Sequence, residues 1–353
     1  MKSPYRIAKR GYYYLTQIEK ITGILDWQAK QLGHLTELVA QTQRRLDDVT
    51  REMQETENYL AQLIQLYGGV ISKEVTRADG RERFFLDLPP ATGALRIYQL
   101  GCKKLLDALV QICEQQGLTY WLQSGSILGA VRHHGFVPWD DDLDVAMMRG
   151  DIQKLRKALE GRTDFKLTLF YDYYCCSRQL RFRTTDADNP CFVDVYIYDY
   201  GADDSEEAWA EWHQQKDEIR RRIESELNTR DLEEWRQLGV VEDKTDLGQR
   251  LGQVFDRYFP TAARQRAEQD NCVVWQLDNF SVKWRRLFKY DFIFPLKQLE
   301  FEGGRYNVPA QYMSYLGRQY GDIYTLPKDI VTHLAHVDKS NLNVSAIERF
   351  LKG

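Results

Sequence analysis

Across 353 residues, no run approaches the roughly eighteen uninterrupted apolar positions of a membrane-spanning helix, so none is expected. The N-terminus also lacks the apolar stretch of a secretory signal peptide. Positive charge is not in excess: the formal net charge is −4, which argues against nucleic acid as a partner. Cysteine is sparse, at positions 102, 113, 175, 176, 191 and 272, and no two are spaced Cys-x-x-Cys. That excludes a zinc ribbon or a thioredoxin-type motif, and a disulfide framework is not expected in so long a chain. Reduced thiols and a cytoplasmic location, with the inner face of the membrane as the alternative station, follow. What remains is 43% hydrophobic and 12% aromatic, enough for a sizeable core in two structural units.

No proline falls within residues 18–67 of the first unit. With Ile18 as heptad position a, the a series is Ile18, Leu25, Leu32, Val39, Leu46, Met53, Leu60 and Tyr67. The d series is Ile21, Gln28, Leu35, Thr42, Val49, Thr56 and Leu63. Apolar residues at every a position predict a coiled-coil oligomerisation helix in the unit 1–68, its heptad stretch 18–67 roughly 75 Å long and ended by Gly68-Gly69. Such a helix needs a partner, and a homo-oligomer through residues 18–67 is expected; packing in cis is the alternative. The first residues mix Lys2, Arg6, Lys9 and Arg10 with Tyr12, Tyr13 and Tyr14. That composition suits peripheral membrane contact or a solvated helix start.

Residues 69–90 read as a β-hairpin connector, Val70–Thr76 and Arg81–Leu88 around Ala78-Asp79-Gly80. In the remaining domain, 91–353, apolar spacing predicts helices over Leu95–Gln116, Ile127–His133 and Asp151–Leu159. Strands are expected over Leu118–Leu122, Leu143–Met148, Lys166–Tyr174, Gln179–Thr184 and Cys191–Tyr198. A charged helical insertion over about 203–290 follows, then a strand at Leu299–Glu302 and a last helix from Pro309 to Tyr320. The fold class expected is α+β: one mixed sheet with flanking helices, preceded by the long N-terminal helix.

The run from Gly125 to Asp144 reads Gly-Ser-Ile-Leu-Gly-Ala-Val-Arg-His-His-Gly-Phe-Val-Pro-Trp-Asp-Asp-Asp-Leu-Asp. In an extended strand residues two apart point the same way, so Asp142 and Asp144 share a face while Leu143 and Val145 meet the core. Neighbouring carboxylates repel unless a cation lies between them, and all-oxygen ligation suits Mg²⁺ or Mn²⁺. The Gly125-Ser126 turn and the helix start beside it favour phosphate. Asp194, a lone carboxylate in the apolar strand Phe192–Ile197, is expected to complete a three-carboxylate metal and catalytic cluster, with Asp199 as its rival. Arg132 suits bidentate phosphate binding and His133 a proton shuttle. Trp139 is a candidate wall for a base or a cationic head group, or simply core. One of Arg181 and Arg183 is expected to face the site, with Arg181 favoured. Glu302, in a close-approach loop with Gly303 and Gly304, is a weaker substrate-binding candidate, and His333 and His336 are weaker still.

The Gly125–Asp144 run resembles the signature of the LicD family of phosphotransferases, whose relatives include fukutin and fukutin-related protein. Phe301-Glu302-Gly303-Gly304, Val308-Pro309 and Tyr320-Gly321-Asp322-Ile323-Tyr324-Thr325-Leu326-Pro327 are similar to that family's C-terminal pattern. The resemblance runs from about Leu95 to about His336. It implies a nucleotidyltransferase fold in which Asp142, Asp144 and Asp194 are catalytic and hold a metal. It also implies transfer of a phospho-alcohol from CDP-choline, CDP-ribitol or CDP-glycerol to a hydroxyl of a cell-surface glycan, with release of CMP. The glycan would be lipopolysaccharide, teichoic acid or capsule. A metal role for Cys175, Cys176 and Cys191 is a minor expectation from one relative's zinc loop. The competing readings are a nucleotidyltransferase that adds a nucleoside monophosphate to a small molecule, and a non-catalytic coiled-coil assembly factor for polysaccharide synthesis.

Overall fold

The computed structural model describes residues 22, 25, 28–43, 45, 46, 49, 50, 78–259, 262–275, 287–325 and 342–353. The chain divides into two compact units, Met1–Gly68 and Gly69–Gly353. In the first, the described residues are helical (α1, described over 28–43). Its heptad side chains Leu25, Leu32, Leu35, Val39, Leu46 and Val49 are each more than half exposed. The remaining heptads, the basic aromatic N-terminus, Val70–Thr76, His333 and His336 lie outside the described residues.

The second unit opens with α2 (Ala78–Leu86) and α3 (Gly93–Gln116), then β1 (Tyr120–Leu122), α4 (Ser124–His133), β2 (Asp144–Met148) and α5 (Arg149–Leu159). A hairpin, β3 (Phe165–Asp172) and β4 (Ser177–Thr184), leads into β5 (Val193–Gly201). After it come α6 (Glu206–Glu226), α7 (Thr229–Leu238), β6 (Val240–Glu242), α8 (Asp246–Tyr258), β7 (Cys272–Trp275) and β8 (Leu287–Lys289). The chain continues through α9 (Tyr290–Ile293), the hairpin β9 (Lys297–Phe301) and β10 (Gly304–Val308), α10 (Tyr312–Tyr320) and α11 (Val344–Lys352).

The main sheet runs β1-β2-β5-β4-β3-β6, with β7 on the far half of β5 and β8 beside β7. Only β2 and β5 pair in parallel; the other described pairs are antiparallel. Every residue of β2 is buried, as suits a strand covered on both faces. One face of α3 buries Tyr98, Cys102, Leu105, Leu106, Leu109 and Ile112 against the sheet. Each fully buried Leu there contributes on the order of 2 kcal/mol of apolar transfer free energy. A second, smaller core joins Tyr171, Ile223, Trp235, Leu251 and Phe255 beneath the helical insertion.

Three sequence expectations need correction. The expected second hairpin strand, Arg81–Leu88, is helix α2, and Ala78-Asp79-Gly80 starts it rather than turning a hairpin. Its Phe85 is buried against Arg132 and His133 of α4. The insertion is not helical throughout: β6 extends the sheet from β3, and β7 pairs with β5. These strands are three and four residues long, too short to show a period. Finally, Leu299–Glu302 is one arm of the β9–β10 hairpin, and α11 follows the helix expected to be last, docking Ile347 against Gly101 of α3.

Candidate active site

Asp144 opens β2, and its register partner across the parallel pair is Asp194 of β5. Both are buried. Ser126 fixes Asp144 from α4, its Oγ accepting the Asp144 N–H at 2.8 Å. The Gln123 N–H donates to the Asp144 carbonyl at 3.0 Å, so the first turn of α4 holds Asp144 at both its peptide groups. The expected free Gly-Ser turn is therefore part of that first turn. Gly125 keeps its place because a Cβ there would lie 2.4 Å from Asp140 Oδ2. Asp142 lies two residues before β2, outside the strand whose alternation is expected to put it on one face with Asp144.

The electrostatics of this corner are those of crowded anions. Burial pushes the Asp144 carboxyl well above the usual carboxylate range, and Asp142, Asp194 and Asp140 push it further. Asp140 is raised in the same way, by burial, by the charge of Asp142 and by a hydrogen bond with Asp142. Arg181 joins the group from directly opposite Asp194 on β4, where its Nε donates to Asp194 Oδ1 at 2.9 Å. Its guanidinium lies over Phe192, 3.9 Å from the ring centroid. Arg183, two residues on, shares that strand face but pairs with Glu242. Position along the strand, not facing, separates the two arginines. Asp199, the rival to Asp194, is engaged by Arg149 in a two-pronged ion pair at 2.8 and 2.7 Å.

Two site residues escape a strand-by-strand reading. Asp140 is two residues before Asp142 in the acidic run, the same spacing that singled out Asp142 and Asp144. Tyr320 belongs to the Tyr-Gly-Asp stretch at the end of α10. Its hydroxyl is hydrogen-bonded with Ser124, and burial together with Asp144, Asp140 and Asp142 holds it well above the ordinary phenol range, so it remains a protonated hydroxyl.

Other expected residues take different places. Arg132 is buried, with its guanidinium 3.7 Å from the Phe85 ring centroid. Its Nε and Nη2 find no acceptor, and burial lowers its pKa to about 10. His133 Nδ1–H donates to the Phe85 carbonyl at 2.6 Å. Burial, and then Arg132, depress this imidazole to about 3, so it is neutral at physiological pH and ties α2 to α4. Trp139 is core, edge-on to His133. Both Glu302 oxygens are engaged by Arg96, at 2.9 and 2.7 Å. Cys176 belongs to the second core and Cys191 to the first, so the minor cysteine–metal expectation is not met.

Among the described residues, no group of three or more His, Cys, Asp and Glu side chains is placed to hold a metal ion. The donor set still fits Mg²⁺, which is bound by one or two carboxylates and completes its shell with water and substrate phosphate. Asp144 Oδ1 is buried with no hydrogen-bond partner, as an oxygen reserved for a cation would be.

Paired carboxylates at the adjoining ends of two parallel strands, beside a helix's first turn, fit the class of phosphoryl- and nucleotidyl-transferring domains. Residues 117–236 match the family described as LicD/FKTN/FKRP, nucleotidyltransferase domain. The chain is similar to the lipopolysaccharide cholinephosphotransferase LicD of Haemophilus influenzae, 35% identical over 118 residues, 30% of this chain and 44% of the relative. It is also similar to the ribitol 5-phosphate transferase FKRP of Homo sapiens, 41% identical over 56 residues, 15% of this chain and 11% of the relative. The uncharacterized protein RP689 of Rickettsia prowazekii is 34% identical over 87 residues, 24% of this chain and 31% of the relative. The chain thus spans less than half the length of these relatives. No helix among the described residues is long and apolar enough to cross a membrane.

Proposed function

We propose that this protein transfers a phospho-alcohol from a CDP-linked donor to a glycan hydroxyl, with release of CMP. The observation that carries the reading is the facing pair Asp144 and Asp194, with Asp142 and Asp140 beside them and Arg181 bonded to Asp194. Relatives named as cholinephosphotransferase and ribitol 5-phosphate transferase support the kind of group moved.

Asp142 and Asp144 would hold Mg²⁺ or Mn²⁺, and the ion when bound would neutralise phosphoryl charge. Asp194 accepts the proton of the acceptor hydroxyl as that oxygen bonds to the phosphorus bearing the alcohol. The bond from this phosphorus to the CMP oxygen breaks, and CMP leaves with the electron pair. Arg181 orients Asp194 through their ion pair. The Tyr320 hydroxyl and the Arg132 guanidinium supply donors to the phosphates, Arg132 because its buried Nε and Nη2 are otherwise unsatisfied. Alignment and charge neutralisation carry such a reaction.

Mass spectrometry of products formed with CDP-choline, CDP-ribitol and CDP-glycerol tests the reading. Donor-dependent CMP release is expected with one of them. Pyrophosphate release from a nucleoside triphosphate instead would establish the nucleotidyltransferase alternative, and inertness towards every donor would favour the assembly factor.

A further inference from the structure

Glu302 sits at the tip of the β9–β10 hairpin with a left-handed backbone, φ 49°, followed by Gly303 at φ 74°. A non-glycine residue there costs on the order of 1 kcal/mol and persists only where surrounding contacts enforce it. The Glu302 N–H donates to the His134 carbonyl at 2.8 Å. Glu302 Oε1 accepts the Phe136 N–H at 3.1 Å and Arg96 Nη1 at 2.9 Å, while Oε2 accepts Arg96 Nη2 at 2.7 Å. Gly135 makes the approach possible, since a Cβ on it would lie 2.6 Å from Glu302 Oε1. One helical turn on from Arg96, Gln99 Nε2 donates to the carbonyl of Asp140 at 2.9 Å. The Phe136 and Phe301 rings pack at a tilt of 58°, their centroids 4.9 Å apart.

The segment 134–140 is therefore gripped from behind by α3 and by the hairpin tip, immediately before it delivers Asp140, Asp142 and Asp144. Arg96 and Glu302 both fall outside the matched segment 117–236. With its oxygens engaged by Arg96 and Phe136, Glu302 is not set out for a substrate.

We infer that the Arg96–Glu302 ion pair is a positioning device that sets the spacing of the acidic loop's carboxylates for the cation they share. This rests on the reading of those carboxylates as a cation-dependent transfer site. Asp142 and Asp144 then carry the ion, while Glu302 and Arg96 act only through the loop.

Mn²⁺ binding by calorimetry on the full chain, with amide exchange over 134–142 and thermal melting, decides it. Glu302→Ala should weaken Mn²⁺ binding about tenfold and speed exchange at Phe136. Glu302→Gln keeps an acceptor for the Phe136 N–H but loses the charge, and should recover part of both losses. Arg96→Gln should match it, and all three should melt cooperatively. Unchanged Mn²⁺ affinity in Glu302→Gln and Arg96→Gln, whatever the exchange rates, overturns the inference. Asp144→Asn separates the two readings: if wild-type protein binds no Mn²⁺, or Asp144→Asn binds it equally, the cation site itself fails and the inference falls with it. Loss in Asp144→Asn with no change in the Arg96 and Glu302 variants defeats the inference alone.

Discussion

Asp144 and Asp194 face each other across the one parallel strand pair described, and the cation bonded to this pair sits on the Asp194 side, where Arg181 lies. Asp144 is left with a buried, unpartnered oxygen and anionic neighbours. Function and stability therefore pull against each other at this position.

Asp144→Asn should abolish transfer and at the same time stabilise the metal-free protein. A carboxyl raised by burial and like charges destabilises the fold when ionised, so that contribution is absent at low pH and grows as pH rises through the ordinary carboxylate range. Melting at pH 8 should rise by about 2–4 °C in the variant, with a smaller gain at pH 5. A lower melting temperature at pH 8 would contradict the electrostatic account. Asp142→Asn should also lose activity, and EDTA should stop the wild-type reaction, with Mg²⁺ or Mn²⁺ restoring it.

Asp194→Asn should lower kcat by a hundredfold or more, while donor affinity changes far less. A base acting on the acceptor hydroxyl contributes to the transition state rather than to holding the nucleotide. Titration calorimetry with donor alone, set beside turnover, checks it. Collapse of donor affinity with turnover preserved at saturation would make Asp194 a binding residue.

Arg132→Gln should show the opposite split, weakening donor binding about tenfold or more with a smaller fall in kcat. Its buried guanidinium has unsatisfied donors that a phosphate would complete. Unchanged donor affinity would assign Arg132 to packing against Phe85 alone.

His133 makes the fold acid-sensitive. The unfolded imidazole titrates near about 6.5, whereas the buried one is held down to about 3. Below about pH 6.5 the unfolded chain takes up a proton that the folded chain refuses. Stability is thus complete above that pH and drains as pH falls towards 3. His133→Asn, which can still donate to the Phe85 carbonyl, should flatten the drop in melting temperature between pH 7.5 and 5. Parallel wild-type and variant profiles would refute the assignment.

Deleting residues 1–68 should leave a folded monomer that still turns over soluble substrates, whereas the full chain should be a dimer, trimer or tetramer. The exposed heptad residues Leu25, Leu32, Leu35 and Val39 motivate this, since a helix of such character needs a partner. Light scattering decides: a monomeric full chain, or an oligomeric truncated one, would place association elsewhere.

The sequence by itself determined the elements whose periods are long: α3, α5 and the strands β2, β4 and β5 lie within a few residues of their expected bounds. It also singled out Asp142, Asp144 and Asp194, because carboxylates among core residues are costly unless they have work to do. Tertiary structure decided the rest. Arg181 and Arg183 lie two apart on one strand face, and only the register with β5 and β6 sends one to Asp194 and the other to Glu242. His133 carried the type of a proton shuttle, but the packing of α2 buries it neutral beneath Phe85. Glu302 looked like a loop carboxylate reaching for substrate until Arg96, 206 positions away in sequence, took both its oxygens. Local periodicity fixes which face a side chain takes; the partner that satisfies its charge comes from whichever distant segment the sheet order brings alongside, and no local pattern encodes that.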